Sequence, residues 1–270
     1  MVKNTVNTLF DICNISRTFL KNAQNSLKRF VAFTLAETLI VMGIIGIVSA
    51  LTLPNLNSST GEKEKVAKVK KIYQNLDDAI GRATAVYGPV NEWFINDASY
   101  TAQITRFGDR VTEFMKVSKN CGVSTNQRCF SNTKAKPIEG DDGSFKDYDT
   151  VNTSYKFQLA DGTSVAFGDI TWAQNINDYI YIFFNIDGPK GKNVSGVDVF
   201  GVRLDVTKGQ IEVAALPFIS GLFSSNNGLY QTFWVMQYDN MDYLKADKNG
   251  KCSSGKVLNI TANPPVISCK

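Results

Sequence analysis

A single carboxylate, Glu37, stands near the start of the run FTLAETLIVMGIIGIVSALTLP, residues 33–54, which is otherwise almost wholly apolar. Placing a carboxylate in hydrocarbon costs about 2–3 kcal/mol or more at the centre of a membrane, so a segment that served only as an anchor would gain nothing from it. The acid calls for a cationic partner. Lys28 and Arg29 precede the run, and Ala32 stands immediately before Phe33. A cut between Ala32 and Phe33 would create an α-amine four residues from Glu37. The Glu37 of a neighbouring copy could meet that amine, each charge offsetting the cost of the other.

The rest of the chain offers little for catalysis. It contains no histidine, so the usual general base is missing, and it has no G-x-S-x-G element. The neighbours Asp77 and Asp78 fall on a helix, where adjacent side chains point in different directions. The expectation is therefore a protein that is not an enzyme. Of the five cysteines, Cys13 precedes the apolar run, while Cys121, Cys129, Cys252 and Cys269 follow it. An even number in an exported domain reads as disulfides, with three connectivities open, of which the two local loops Cys121–Cys129 and Cys252–Cys269 are favoured. A zinc site is disfavoured, since there is neither a C-x-x-C nor a histidine. The stretch from Asp187 to Asp198 contains Gly191-Lys192, but Asn193 replaces the Ser or Thr of a phosphate loop and no Gly stands five residues before Gly191. Asp187, Asn193 and Asp198 offer oxygen ligands for calcium, against the plainer reading of a Gly/Pro-rich turn. The acidic stretch of Glu139, Asp141, Asp142, Asp147 and Asp149 reads as a solvated loop. Trp234, within the aromatic stretch Tyr230 to Tyr243, reads as core packing.

These residues must be held by elements with legible patterns. The 21 residues from Phe33 to Leu53 would span roughly 30 Å as a helix, enough for a bilayer core. Polar residues 55–61 suggest a bend or local unwinding after Pro54. Val66, Val69, Ile72, Tyr73, Leu76, Ala79, Ile80, Ala83, Val86 and Tyr87 then recur at spacings of three and four, one stripe on a helix closed by Gly88-Pro89. Ile104, Phe107, Val111, Phe114 and Met115 suggest a second amphipathic helix over about 99–118. From residue 153 the pattern turns to strands: 155–159 and 164–167 around Asp161-Gly162, then 179–186, and 199–206 and 210–216 around Lys208-Gly209. Roughly five short antiparallel strands would offer one face to the long helix.

Charge supports export. Lys3, Arg17, Lys21, Lys28 and Arg29 against Asp11 give residues 1–32 a net charge of +4, equal to that of the whole chain, so the remainder is balanced. The basic excess is thus a topology signal that keeps residues 1–32 in the cytoplasm. It is not the footprint of a nucleic-acid-binding surface.

Residues 33–54 resemble the N-terminal segment of type IV pilins and type II secretion pseudopilins. Counted from Phe33, the acid falls fifth, Gly46 fourteenth and Pro54 twenty-second, where that family places them. The motif covers about a tenth of the chain. The resemblance implies cleavage between Ala32 and Phe33 by a prepilin peptidase, N-methylation of Phe33, and assembly into a helical filament through Glu37, Gly46 and Pro54. The family usually carries Gly before the cut, and Ala32 departs from that while remaining small. Pilins commonly close a C-terminal region with a bridge such as Cys252–Cys269, and major pseudopilins bind calcium in a loop near the end of their sheet. A plain membrane anchor, or a secretory signal cut after Ala50, would leave Glu37 unexplained.

The expectation is an α+β, pilin-like fold: a long N-terminal helix, membrane-spanning in its first half, packed on an antiparallel sheet. Its parts would be a cytoplasmic leader (1–32, removed), a transmembrane and filament-core helix (33–54), and its amphipathic continuation (55–88). A connecting region with a second helix and a cysteine loop (89–150) and a sheet domain with a C-terminal disulfide loop (151–270) would follow. The function expected is a structural pilus or type II secretion subunit without a cofactor, calcium apart. Its partners would be other such subunits, the peptidase, and the bacterial inner membrane with its assembly platform. The alternative is a membrane-anchored extracytoplasmic binding or adhesion protein.

Overall fold

The computed structural model describes residues 35–94, 99–139, 147–168, 179–224 and 227–270. It divides into two compact units, Met1–Asn57 and Ser58–Lys270. Helix α1 (Leu35–Tyr87) supplies residues to both. Its backbone is helical through Pro54 and through 55–61, where the composition suggested a bend. A proline inside a helix removes one hydrogen bond and costs roughly 3 kcal/mol, yet α1 remains helical on both sides of it.

One expectation is corrected. Among the described residues, no helix is long and apolar enough to cross a membrane. The apolar stretch whose side chains are described runs from Leu35 to Val48. That is about 21 Å at 1.5 Å per residue, against about 30 Å of hydrocarbon. Further along α1, Glu62, Lys63, Glu64 and Lys65 make the helix strongly charged.

In the second unit α1 lays its stripe into the core. Val66, Val69, Ile72, Leu76, Ala79, Ile80 and Ala83 are buried, while the charged residues between them face outward. The helix stops where Gly88 adopts φ 81° and its N–H bonds back to the Thr84 carbonyl at 3.0 Å, a left-handed termination that suits glycine. Helix α2 (Tyr100–Thr112) is capped by Ser99, whose side chain accepts from the Ala102 N–H at 3.3 Å. It packs Ile104, Phe107 and Val111 inward. At Gly108 the Tyr155 ring lies so close that an added Cβ would sit 2.3 Å from it.

The sheet has six strands in sequence order, every neighbouring pair antiparallel: β1 (Val117–Gly122), β2 (Tyr155–Leu159), β3 (Ser164–Phe167), β4 (Tyr179–Asn185), β5 (Val199–Asp205) and β6 (Gln210–Glu212). β1 is an addition to the sequence expectation, which extended the second helix to 118. α2 instead ends at Thr112, and the chain turns at Phe114 and Met115 into the ladder with β2. β6 ends at Glu212, short of the apolar residues to Leu216.

Alternation divides the sheet. Phe157, Val165, Phe167, Ile180, Ile182, Phe184, Phe200, Val202 and Leu204 join the α1 stripe in one cluster. On the opposite face Ala166, Phe183 and Val199 form a second cluster with Phe130, Ala135 and Tyr148. The central strands are therefore buried on both sides, which is why β3 reads as an unbroken buried run. Two short helices, α3 (Gly221–Ser224) and α4 (Leu229–Tyr238), follow the sheet.

Candidate functional site

Among the described residues, the first part of α1 carries most of the exposed large apolar side chains. Leu35, Leu39, Ile40, Val41, Met42, Ile44, Ile45, Ile47 and Val48 are between 53% and 78% exposed. Gly43 and Gly46 open this surface further, since a Cβ built at either meets nothing within 4 Å. Glu37 lies in the first turn of α1 and is exposed. A negative charge there is favoured by the positive end of the helix dipole, by about 0.3–1 kcal/mol at an exposed site. Ala32 and Phe33 lie outside the described residues. Pro54 lies within the helical backbone of α1.

Within the second unit, acids from three separate connections meet the lysines of α1. Lys65 and Lys68 reach Asp187, after β4, at 3.6 and 3.5 Å. Lys70 reaches Asp239, after α4, and Lys71 reaches Asp161, in the β2–β3 turn, each at 2.8 Å. Lys65 also donates to the Val197 carbonyl at 2.9 Å. Burial works against the charge on Lys68, but Glu64 and Asp187 more than offset it and its pKa is raised. Glu62 takes the reverse part, accepting from Lys245 at 2.7 Å. Pairs this exposed contribute about 0–1 kcal/mol each, so their use is to fix the position of the helix on the sheet.

The Lys245 contact leads to the C-terminus. Lys245 also donates to Asp242 Oδ1 at 2.6 Å, and the other Asp242 oxygen accepts from Ser268 Oγ at 2.6 Å and the Cys269 N–H at 3.0 Å. Burial pushes the Asp242 carboxyl up, but these donors outweigh it and hold it below its ordinary value. Cys269 is bonded to Cys252, and Cys121 to Cys129. Asp242 thus connects the last disulfide, through Lys245, with Glu62 of α1. Trp234 is fully buried beside this clamp, with Nε1 donating to Asn240 Oδ1 at 2.9 Å and its ring edge-on to Tyr238 and Tyr243.

The suggested calcium ligands are committed elsewhere. Asp198 is buried, and its two oxygens accept from the Asn193 and Val194 N–H groups at 2.8 and 2.7 Å. Asn193 Oδ1 accepts from Asn185 Nδ2 at 2.6 Å, and Asp187 faces Lys65 and Lys68. The stretch is a turn closed by its own hydrogen bonds. Among the described residues no group of three or more His, Cys, Asp or Glu side chains is placed to hold a metal. Burial pushes the Asp198 carboxyl upward despite its two N–H partners.

The acidic stretch reads in the sequence as a solvated loop, but Asp147 and Asp149 are buried and organise the second face of the sheet, together with Lys156, which the sequence reading does not single out. Asp149 is buried and collects the N–H groups of Cys129, Phe130 and Ser131 at 2.9–3.2 Å. Asp147 pairs with Arg128 at 3.2 Å. Lys156, on β2, is fully buried and donates to the Ser124 and Val151 carbonyls at 2.8 and 3.0 Å. The one signal available for it was a lysine inside the strand YKFQL. Compared with family models, with curated proteins and with solved structures, the chain matches none.

Proposed function

We propose that this chain is a structural subunit of a type IV pilus or type II secretion filament, cut between Ala32 and Phe33 and assembled through the first part of α1. The observation that carries this reading is the exposed apolar surface from Leu35 to Val48 with one carboxylate, Glu37, at its start. Removing that much apolar surface from water is favourable by about 25 cal/mol per Å², so it favours burial against like helices. In such a bundle Glu37 accepts the Phe33 amine of a neighbouring copy, and Gly43 and Gly46 allow close approach of helix backbones. The two disulfides support residence of the folded domain outside the cytoplasm, as a periplasmic or extracellular filament requires.

The test is the mature N-terminus, read by mass spectrometry after co-expression with a prepilin peptidase. A chain that begins with N-methylated Phe33 is the expected product. An uncut chain, or one starting at Leu51, overturns the reading.

A further inference from the structure

The two disulfides serve different parts of the core. Cys252 and Cys269 belong to the main cluster that contains the α1 stripe. Phe130, next to Cys129, belongs instead to the small cluster on the other face of the sheet, with Ala135, Tyr148, Ala166, Phe183 and Val199. Phe130 is the apolar anchor of residues 123–131 on that face, Val123 packs against the main cluster, and polar contacts supply the rest. Lys156 reaches into the ring closed by Cys121–Cys129 to donate to the Ser124 carbonyl, while Asp149 takes the N–H of Cys129, at the end of the ring, and those of Phe130 and Ser131 beyond it. Gln158 Nε2 adds a bond to the Cys129 carbonyl at 3.0 Å. A buried ammonium is tolerated only while its acceptors stay in place. Burial lowers the Lys156 pKa, with Asp149 and Asp147 acting in the opposite direction.

We propose that Cys121–Cys129 is a redox-released clasp, whose reduction frees residues 123–131 from the sheet and brings Lys156 to water while the α1 side of the core stays folded. The reductant is a dithiol. One of its thiolates attacks the sulfur of Cys121, the more exposed of the pair, and forms a mixed disulfide as Cys129 leaves and takes up a proton. The second thiolate closes a cyclic disulfide and releases Cys121, which is protonated in turn. Two electrons and two protons pass from the dithiol to the protein. Without the ring, Ser124 is held near Lys156 only by its own N–H bond to the Cys121 carbonyl at 3.1 Å and by the pairing of Gly122 with Lys156, and solvation of the ammonium favours the open form. The opening stops at Asn132, whose N–H bonds to the Pro189 carbonyl at 3.2 Å, and at Lys136, which exchanges backbone bonds with Asn193 and Ser195.

The experiment compares the full chain before and after dithiothreitol at neutral pH, using an amine-acylating reagent and amide exchange, both read by peptide mass spectrometry. Acylation of Lys156 and exchange at Cys129, Phe130 and Ser131 should rise by about 30-fold or more on reduction. Amides from Val69 to Ala83 should keep their protection. C121S/C129S without reductant should reproduce the open pattern, and C252S/C269S should leave residues 123–131 closed. The proposal falls if Lys156 of the reduced chain stays unreactive, if the α1 amides lose protection together with 129–131, or if C252S/C269S opens the segment equally.

Discussion

Asp242 shows how one side chain can couple distant parts of the chain. It is buried, and its two oxygens receive the Lys245 ammonium, the Ser268 hydroxyl and the Cys269 N–H. Its carboxyl pKa is depressed below the ordinary 3.8. A group with a depressed folded pKa contributes stability that is complete above its unfolded value and is lost as pH falls through the folded one. Asp242→Asn should therefore destabilise the chain by about 1.5–3 kcal/mol near pH 7, the range for hydrogen bonds to a charged group. The gap between variant and parent should close as pH falls below 3.8. Chemical unfolding of both proteins across that window measures it, and a gap independent of pH would mean that the carboxylate charge contributes nothing. Asp198 acts in the opposite sense, because burial raises its carboxyl; the difference between the two proteins, and not the parent curve alone, isolates Asp242. None of this was legible in the sequence. An aspartate preceded by methionine and followed by tyrosine carries no local sign that it will meet Cys269, 27 residues on. The same holds for Asp149, whose three N–H partners lie some twenty residues earlier in the chain.

At the scale of the element, α1 separates what locates a helix from what stabilises it. Leu76 is fully buried in the stripe, and Leu76→Ala should cost about 2–5 kcal/mol in unfolding free energy. Lys70→Ala breaks the 2.8 Å pair with Asp239, which is exposed on both sides, and should cost no more than about 1 kcal/mol. Thermal or urea unfolding of the two variants gives the comparison, and equal losses would overturn the ranking. The stripe was legible because burial follows the helical period, and the strands around Asp161-Gly162 and Lys208-Gly209 because alternation and turn residues coincide there. β1 was not legible. Its middle residues Ser118, Lys119 and Asn120 are all exposed, since it is an edge strand with two irregularities in its register, so no alternation announces it. Phe114 and Met115 continue the helical spacing of α2, and only pairing with β2 decides that the chain leaves the helix first. Hydropathy also overstated α1, because an apolar run in the sequence becomes a membrane span only if the helix that contains it stays apolar for long enough.

At the scale of the whole molecule, the buried core and the long continuous run of exposed apolar side chains fall in different units, with Val86, Tyr179, Phe218 and Val257 exposed singly in the second. Every buried core residue among those described lies within Ser58–Lys270, while the exposed run from Leu35 to Val48 lies within Met1–Asn57. A chain beginning at Ser58 retains both clusters, both disulfides and the ion pairs of Glu62, Lys65, Lys68, Lys70 and Lys71. It should fold with an unfolding midpoint within a few degrees of the longer chain, since surface substitutions and exposed ends contribute about 0.5 kcal/mol or less. It should also sediment as a monomer in dilute buffer. A chain that keeps residues 33–57 should associate under the same conditions, because exposed Leu and Ile side chains each gain about 1.5–3 kcal/mol on full burial. Sedimentation velocity of the two chains, without detergent, measures the difference. If the shorter chain associates as strongly, the contact lies on the folded domain and the apolar surface of α1 is not what joins the copies. If it stays monomeric while the longer one assembles, self-association belongs to α1 alone, and the folded domain is free to present whatever surface its sheet and loops provide.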